Sequence, residues 1–396
     1  MGKKSVTMMW GTLLTSFLLL SVGSANDACR IVPQGPEGDA FYQPPASLPQ
    51  EDHGALIWYR PFTGTAAVSG GRNTLLLYTQ EGINGNQVAT SGYMVVPDGD
   101  APEGGWPVIT WAHGTTGIAD QCAPTRDTDP SDSATDEPLF EDWLSKGYAI
   151  VLTDYEGLGT PGIHPYLIGN SEGRAVLDII RAARTYEPKL SNHVVIAGHS
   201  QGGQAALFAA ALAPSYTPEL EIAGTIAFAP VSNLEIEIPI LKSLTIDTLS
   251  GTVALILRGL SVANSSLDPS TLITPAAAAL FPQTLTVCEA GLDANNSFGG
   301  LAGDQLLQPN ADLSGIIIGL TDNDASYLKI QKPILVLQGE ADTTVYPFTT
   351  TDLVKSLQGN GADITEKTYA NTTHTGVIAA GGSDATNFLT QILPAT

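Results

Sequence analysis

A mostly parallel β-sheet with helices packed on its faces, interrupted by an inserted and mainly helical segment, is the fold class that the sequence predicts. Three observations lead there. From Leu75 onward, short apolar runs of β character alternate with stretches of helical period, as strands joined by crossover helices do. One of these runs, at Val194 to Ala197, passes through a tight glycine-flanked turn straight into an apolar helix. The stretch from Glu235 to Leu328 breaks the alternation and is far longer than an ordinary connection, which marks it as an insertion.

The elements follow in order. Residues 1–25 read as an export signal: Lys3 and Lys4, an apolar run from Val6 to Val22, and Gly23-Ser24-Ala25 as a small-residue cleavage site. The expected location is therefore extracellular or periplasmic, after cleavage near Ala25. Residues 26–72 hold six prolines and no clear period, and are expected to form an irregular N-terminal wrap. The core is expected over 73–234 and 329–396. It opens with a hairpin of Leu75 to Tyr78 and Ser91 to Val96, with Asn84-Gly85 in the connection. Short buried strands follow at Pro107 to Trp111, Ala149 to Thr153, Val194 to Ala197, Ile222 to Phe228, Ile334 to Leu337 and Ile364 to Tyr369. Between them, Ala175, Val176, Ile179, Ile180 and Ala183 share one helical face, as do Ala205, Phe208, Ala209 and Leu212. Residues 235–328 are expected to form a helical cap.

Composition removes several function classes. With 17 basic residues against 40 acidic ones, the formal charge is −23, which repels nucleic-acid phosphate. At 43% hydrophobic and only 14% charged, the chain has ample material for a core and lacks the signature of disorder. No segment after the signal reaches the length of a membrane span. The spacing of the three cysteines excludes a zinc cluster.

The chemistry concentrates at Gly198-His199-Ser200-Gln201-Gly202, a G-x-S-x-G between a strand and a helix. A nucleophilic serine needs its oxygen held clear on a strained turn, and small flanking residues let strand and helix approach closely. In this arrangement the partners follow in the order serine, acid, histidine. Of the six histidines only His374 lies beyond Ser200, so it is the expected base. The acid must follow a strand and reach the imidazole, and Gly339-Glu340-Ala341-Asp342-Thr343-Thr344-Val345 supplies such a loop. Asp342 is the choice, with Glu340 and Asp352 as rivals. The oxyanion donors are expected to be the N–H of Gln201, at the helix start, and that of Thr115 in His113-Gly114-Thr115.

The elbow, the segment His113-Gly114-Thr115-Thr116-Gly117 with Cys122-Ala123-Pro124, and Asp154-Tyr155-Glu156-Gly157-Leu158-Gly159-Thr160-Pro161-Gly162 with His164-Pro165-Tyr166 together resemble the secretory-lipase family of α/β hydrolases. The likeness runs from about Leu75 to His374 and is weak in the cap. It implies the α/β-hydrolase fold, carboxylic-ester hydrolysis and a helical lid over the acyl pocket. Asp154 and Glu156 precede Ser200 and are expected to organise the site by hydrogen bonds.

The reading is a secreted serine esterase or lipase acting through an acyl-enzyme. It needs no metal or organic cofactor, and its partner is a small-molecule or lipid ester, with interfacial contact through the cap. A serine peptidase or aminopeptidase built on the same triad is the alternative. Cys122 and Cys288 are expected to pair, because Cys122 follows the oxyanion loop and Cys288 lies in the cap that must cover it. Cys29, near the mature N-terminus, is then left unpaired.

Overall fold

Nine strands among the described residues form one sheet: β1 (Leu56–Pro61), β2 (Gly71–Glu81), β3 (Gln87–Pro97), β4 (Trp106–Ala112), β5 (Ala149–Thr153), β6 (Leu190–His199), β7 (Glu221–Phe228), β8 (Ile334–Gly339) and β9 (Ile364–Tyr369). Their spatial order is β1-β2-β3-β5-β4-β6-β7-β8-β9. The pairings β1/β2, β2/β3 and β3/β5 are antiparallel, and every pairing from β5/β4 to β8/β9 is parallel. The computed structural model describes residues 1–2, 32–49, 53–126, 133–242 and 249–395. Apart from its first two residues, the expected export signal lies outside them, as does Cys29.

The β2–β3 hairpin forms where expected, with Gly85 at φ 73° in its connection. That backbone conformation is open to glycine without the Cβ clash other residues meet. One expectation needs correction: residues 26–72 are not irregular throughout, because β1 lies within them and pairs with β2. It escaped notice because it has six residues, ends on Pro61 and is bulged between Leu56 and Trp58, so no clean alternation is left to read.

The helices are α1 (Ser133–Ser145), α2 (Gly169–Tyr186), α3 (Gln201–Tyr216), α4 (Leu234–Leu241), α5 (Ser250–Ala263), α6 (Pro275–Leu280), α7 (Glu289–Leu292), α8 (Gly303–Leu306), α9 (Ser314–Asp322), α10 (Pro347–Gly359) and α11 (Gly376–Ile392). Alternation along a strand sends successive side chains to opposite faces of the sheet. On β6, Val194 and Ile196 join one core cluster with Ala175, Ile179, Ala205 and Leu353 of α2, α3 and α10. Val195 and Ala197 join a second with Trp143, Val377 and Leu389 of α1 and α11. Helices therefore cover both faces, and all six residues of β8 are buried, as in a strand sandwiched between layers.

Between β7 and β8 the chain runs through α4 to α9, and the expected cap boundaries at 235 and 328 fall beside the start of α4 and the short 3₁₀ turn Ala325–Tyr327. This stretch has its own apolar cluster, centred on Leu255, Ile256, Leu257 and the fully buried Phe298. The core residues that join it, Ile118, Tyr166, Val231 and Val345, come from the loops after β4, β5, β7 and β8. The insertion thus packs on the carboxyl-end side of the sheet, where ligands bind in open α/β folds.

Candidate active site

Ser200 sits between the last residue of β6 and the first of α3 with φ 57° and ψ −118°, a conformation costly for any residue with a Cβ. The flanking glycines make that turn sterically feasible. A Cβ on Gly202 would lie 1.9 Å from the carbonyl oxygen of Ala112, and one on Gly198 would lie 2.2 Å from that of Gly202. Both obstacles are backbone atoms that cannot step aside. The strand-to-helix approach therefore demands glycine at both positions.

Ser200 Oγ lies 2.8 Å from His374 Nε2, and His374 Nδ1 lies 2.7 Å from Asp342 Oδ2. His374 comes from the loop between β9 and α11, and Asp342 from the loop after β8. The other carboxylate oxygen of Asp342 accepts from the backbone N–H groups of Thr344 at 2.8 Å and Val345 at 2.9 Å, and Gln338 Nε2 donates to Oδ2 at 3.1 Å. Burial by itself would raise this acid. The hydrogen bond and charge of His374 and the two backbone donors outweigh it, so Asp342 is held below the ordinary carboxylate range. With Nδ1–H facing a carboxylate, Nε2 is the lone-pair nitrogen turned to the serine hydroxyl.

The rival acids stand elsewhere. Glu340 is exposed and accepts from Thr368 Oγ1, while Asp352 lies on α10 paired with Lys355 at 3.0 Å. Asp154 and Glu156, both upstream of Ser200, act as buried anchors. Asp154 accepts from Ser91 Oγ at 2.6 Å, from the Thr125 backbone N–H at 3.1 Å and from the Thr125 hydroxyl, and burial pushes it up to about 6. Glu156 accepts from Ser171 Oγ at 2.5 Å and from the N–H of Ile83.

The loop after β4 runs alongside the elbow, and a Cβ on Gly114 would sit 3.7 Å from Ser200 Cβ. The Thr115 hydroxyl pairs with Tyr166 Oη at 2.6 Å, so it is engaged by a neighbour of the loop. Cys122 and Cys288 are joined, with Cα atoms 5.4 Å apart, and beside them the N–H of Glu289 donates to the carbonyl of Thr116 at 2.9 Å. The start of α7 is thereby fixed to the loop that carries Thr115.

Two groups in this centre were not singled out from sequence. His199 Nε2–H donates to the carbonyl oxygen of His374 at 3.1 Å, tying the histidine loop to the elbow, and burial followed by the neighbouring His374 lowers it to about 3. Gln201 turns its side chain inward, donating from Nε2 to His164 Nε2 at 3.0 Å and to Glu172 Oε1 at 2.7 Å. His164 in turn donates from Nδ1 to the carbonyl of Glu156 at 2.9 Å. Glu172 is fully buried, and burial pushes it up to about 8 despite the donors Gln201 and Leu167 N–H. No periodicity or motif announces such a network, because its members lie on separate loops and helices. Above Ser200 opens a cavity of about 470 Å³, walled by the loops and by α4, α5 and α7. No group of His, Cys, Asp and Glu among the described residues has the arrangement of a metal site.

A sequence model of the family described as secretory lipase matches residues 131–392. Among individual proteins, the chain is 27% identical over 231 residues to Lipase A of Moesziomyces aphidis, covering 56% of this chain and 48% of the relative. It is 29% identical over 224 residues to a probable inactive lipase of Mycobacterium tuberculosis, covering 52% and 48%. The chain thus spans about half the length of these curated relatives. Among solved structures, the rice cell wall degrading esterase LipA from Xanthomonas oryzae superposes with a TM-score of 0.72 at 21% identity, over 87% of this chain and 99% of that one, a likeness of fold.

Proposed function

Since the chain belongs to the secretory lipase family, we propose that it is an exported serine hydrolase that cleaves carboxylic esters through an acyl-enzyme. The observation that carries this reading is the continuous relay of Ser200, His374 and Asp342, with steps of 2.8 and 2.7 Å. Ser200 Oγ attacks the ester carbonyl while its proton passes to His374 Nε2, and Asp342 stabilises the imidazolium. The tetrahedral oxyanion takes hydrogen bonds from the N–H groups of Gln201 and Thr115. Collapse expels the alcohol, which leaves with the proton from His374. Water then enters, gives its proton to His374 and attacks the acyl carbon, and the acid departs as Ser200 recovers its hydrogen. None of these steps requires a metal or an organic cofactor.

Export is supported by the lysine-led apolar segment and small-residue cleavage pattern of residues 1–25. No helix among the described residues is long and apolar enough to cross a membrane. The helices from α4 to α9 act in this reading as a cap over the acyl pocket. Exposed Ile236 and Ile240 on α4 and Ile318 on α9 give its outer surface apolar points for an ester–water interface.

The test is labelling with a fluorophosphonate, followed by turnover of nitrophenyl esters of graded chain length beside aminoacyl anilides. The reading expects one adduct, on Ser200, and ester turnover well above anilide turnover. Absence of both label and turnover would mean a non-catalytic scaffold. Preferred anilide cleavage would move the protein to the peptidase reading.

A further inference from the structure

The cavity above Ser200 has a one-sided polar wall. Five carboxylates line it, those of Asp136, Glu137, Glu237, Glu289 and Asp293, and among the described lining residues there is no lysine or arginine.

Glu237 is the member that points to a ligand. It stands on α4, in the cavity wall, 7% exposed, and its Oε1 is buried with no hydrogen-bond partner among the described residues. The charges that bear on it are Glu235 of its own helix and Asp342 of the loop after β8, both acidic. Burial first, and then these two neighbours, push its carboxyl up to about 7. A buried carboxylate facing a cavity without a counter-charge is a costly arrangement unless something of opposite sign enters. A neutral acyl chain leaves that oxygen unsatisfied. A positively charged donor satisfies it and is drawn in by the remaining acids.

We propose that the cavity contains a cation subsite centred on Glu237, which selects esters whose acyl or alcohol portion carries an ammonium group. This rests on the hydrolase reading for the reaction but not for the binding. The cationic group sits against the α4 wall while the ester carbonyl meets Ser200, and hydrolysis breaks the acyl–oxygen bond by the steps given above.

The experiment compares matched pairs of substrates. The acyl pair is the nitrophenyl ester of trimethylammoniobutyrate and its isostere with carbon in place of nitrogen. The alcohol pair is a choline ester and the corresponding dimethylbutyl ester. At alkaline pH, where Glu237 is ionised, the proposal expects wild-type kcat/KM to favour the cationic member of one pair by about tenfold or more, close to what a single well-placed charge contributes. In Glu237→Gln the ratio should fall to about one. Binding of butyltrimethylammonium by calorimetry, set against a neutral isosteric alcohol, reads the subsite in wild type even where no ester is turned over. It therefore separates failure of the subsite from failure of the hydrolase reading, and stands even where the variant does not fold. Equal or weaker handling of the cationic member in both pairs, together with no preferential ammonium binding, overturns the proposal. So does a preference that Glu237→Gln, folded and labelled at Ser200, retains in full.

Discussion

Removing the Cys122–Cys288 bond tests whether the cap segment steadies the oxyanion loop. The perturbation is the double substitution Cys122→Ala with Cys288→Ser, which also prevents either thiol from pairing with Cys29. The bond closes a loop of 166 residues, for which the chain-entropy model gives about 5 kcal/mol, with 2 to 4 more typical in practice. At about 2.1 cal/mol/K of unfolding entropy per residue, a loss of 2 to 4 kcal/mol lowers Tm of a chain this long by roughly 3 to 5 °C. The local effect is separable from the global one. Without the bond, the start of α7 is held to the loop mainly by the Glu289 N–H to Thr116 hydrogen bond and by Gln121 Nε2 donating to Thr286 O at 2.6 Å. Turnover well below either melting temperature should therefore fall about tenfold, in kcat more than in KM, since Thr115, whose N–H is the proposed oxyanion donor, lies between Gly114 and Thr116 on that loop. Calorimetry and nitrophenyl-ester kinetics on the two proteins, with non-reducing peptide mapping of the wild type, make the measurement. A variant that melts lower but turns over at the wild-type rate would refute the link from tether to oxyanion loop. A cross-linked peptide containing Cys29 would refute the pairing itself.

Ser200→Ala and His374→Ala should each lower kcat by about 10⁴-fold or more, and the double variant should lose little beyond that, because the pair acts as one unit; a tenth of the activity surviving in His374→Ala would remove it as the base. Glu172 is raised to about 8 in the fold from an ordinary 4.5, so the native state holds a proton that the unfolded chain has released. This contribution is intact below about 4.5 and is lost as pH climbs to about 8. Glu172→Gln should flatten the fall of Tm across that window, and an unchanged slope would show that Glu172 is ionised in the fold. Finally, a formal charge of −23 predicts that Tm rises with NaCl between about 0.1 and 1 M, as the Debye length shrinks from about 10 to 3 Å, whereas a flat response would mean the acids are locally paired.

The parts of the molecule legible from sequence are those set by local pattern or chain order. Strand β5 occupies the expected residues, and β4, β6 and β8 extend the expected runs by one to a few residues, because buried parallel strands are continuous apolar runs; β9 also falls on the expected residues, but as the mostly exposed edge strand and not as a buried one. The meeting of Ser200 with His374, 2.8 Å apart, was legible for a different reason. The elbow needs small residues that a backbone contact of 1.9 Å enforces, and chain order left a single histidine. Asp342 is separated from its rivals in three dimensions: Glu340, two residues earlier, is exposed, and Asp352 lies on α10. Strand β1 was hidden by its bulge and by Pro61.

What sequence conceals most completely is the polarity of the enclosed space. Glu172 and Glu237 are written in the same letter as the exposed Glu340, yet burial pushes the first two up to about 8 and about 7. Each has one buried oxygen without a partner among the described residues, Glu172 Oε2 and Glu237 Oε1, and they differ in where they stand. Glu172 Oε1 receives Gln201 Nε2 and the N–H of Leu167, so its burial serves the residue next to Ser200 and keeps the start of α3 fixed. Glu237 Oε1 receives nothing from the described residues and faces the cavity. Since a ligand in the cavity can reach only the acid that lines it, the pair divides into one carboxyl that positions the protein and one open to a ligand. Substituting each by glutamine separates the roles. Glu172→Gln should act on all esters alike, through the elbow. Glu237→Gln should act on the ratio between cationic and neutral esters. If the two variants changed that ratio equally, the assignment of distinct roles to these acids would fail.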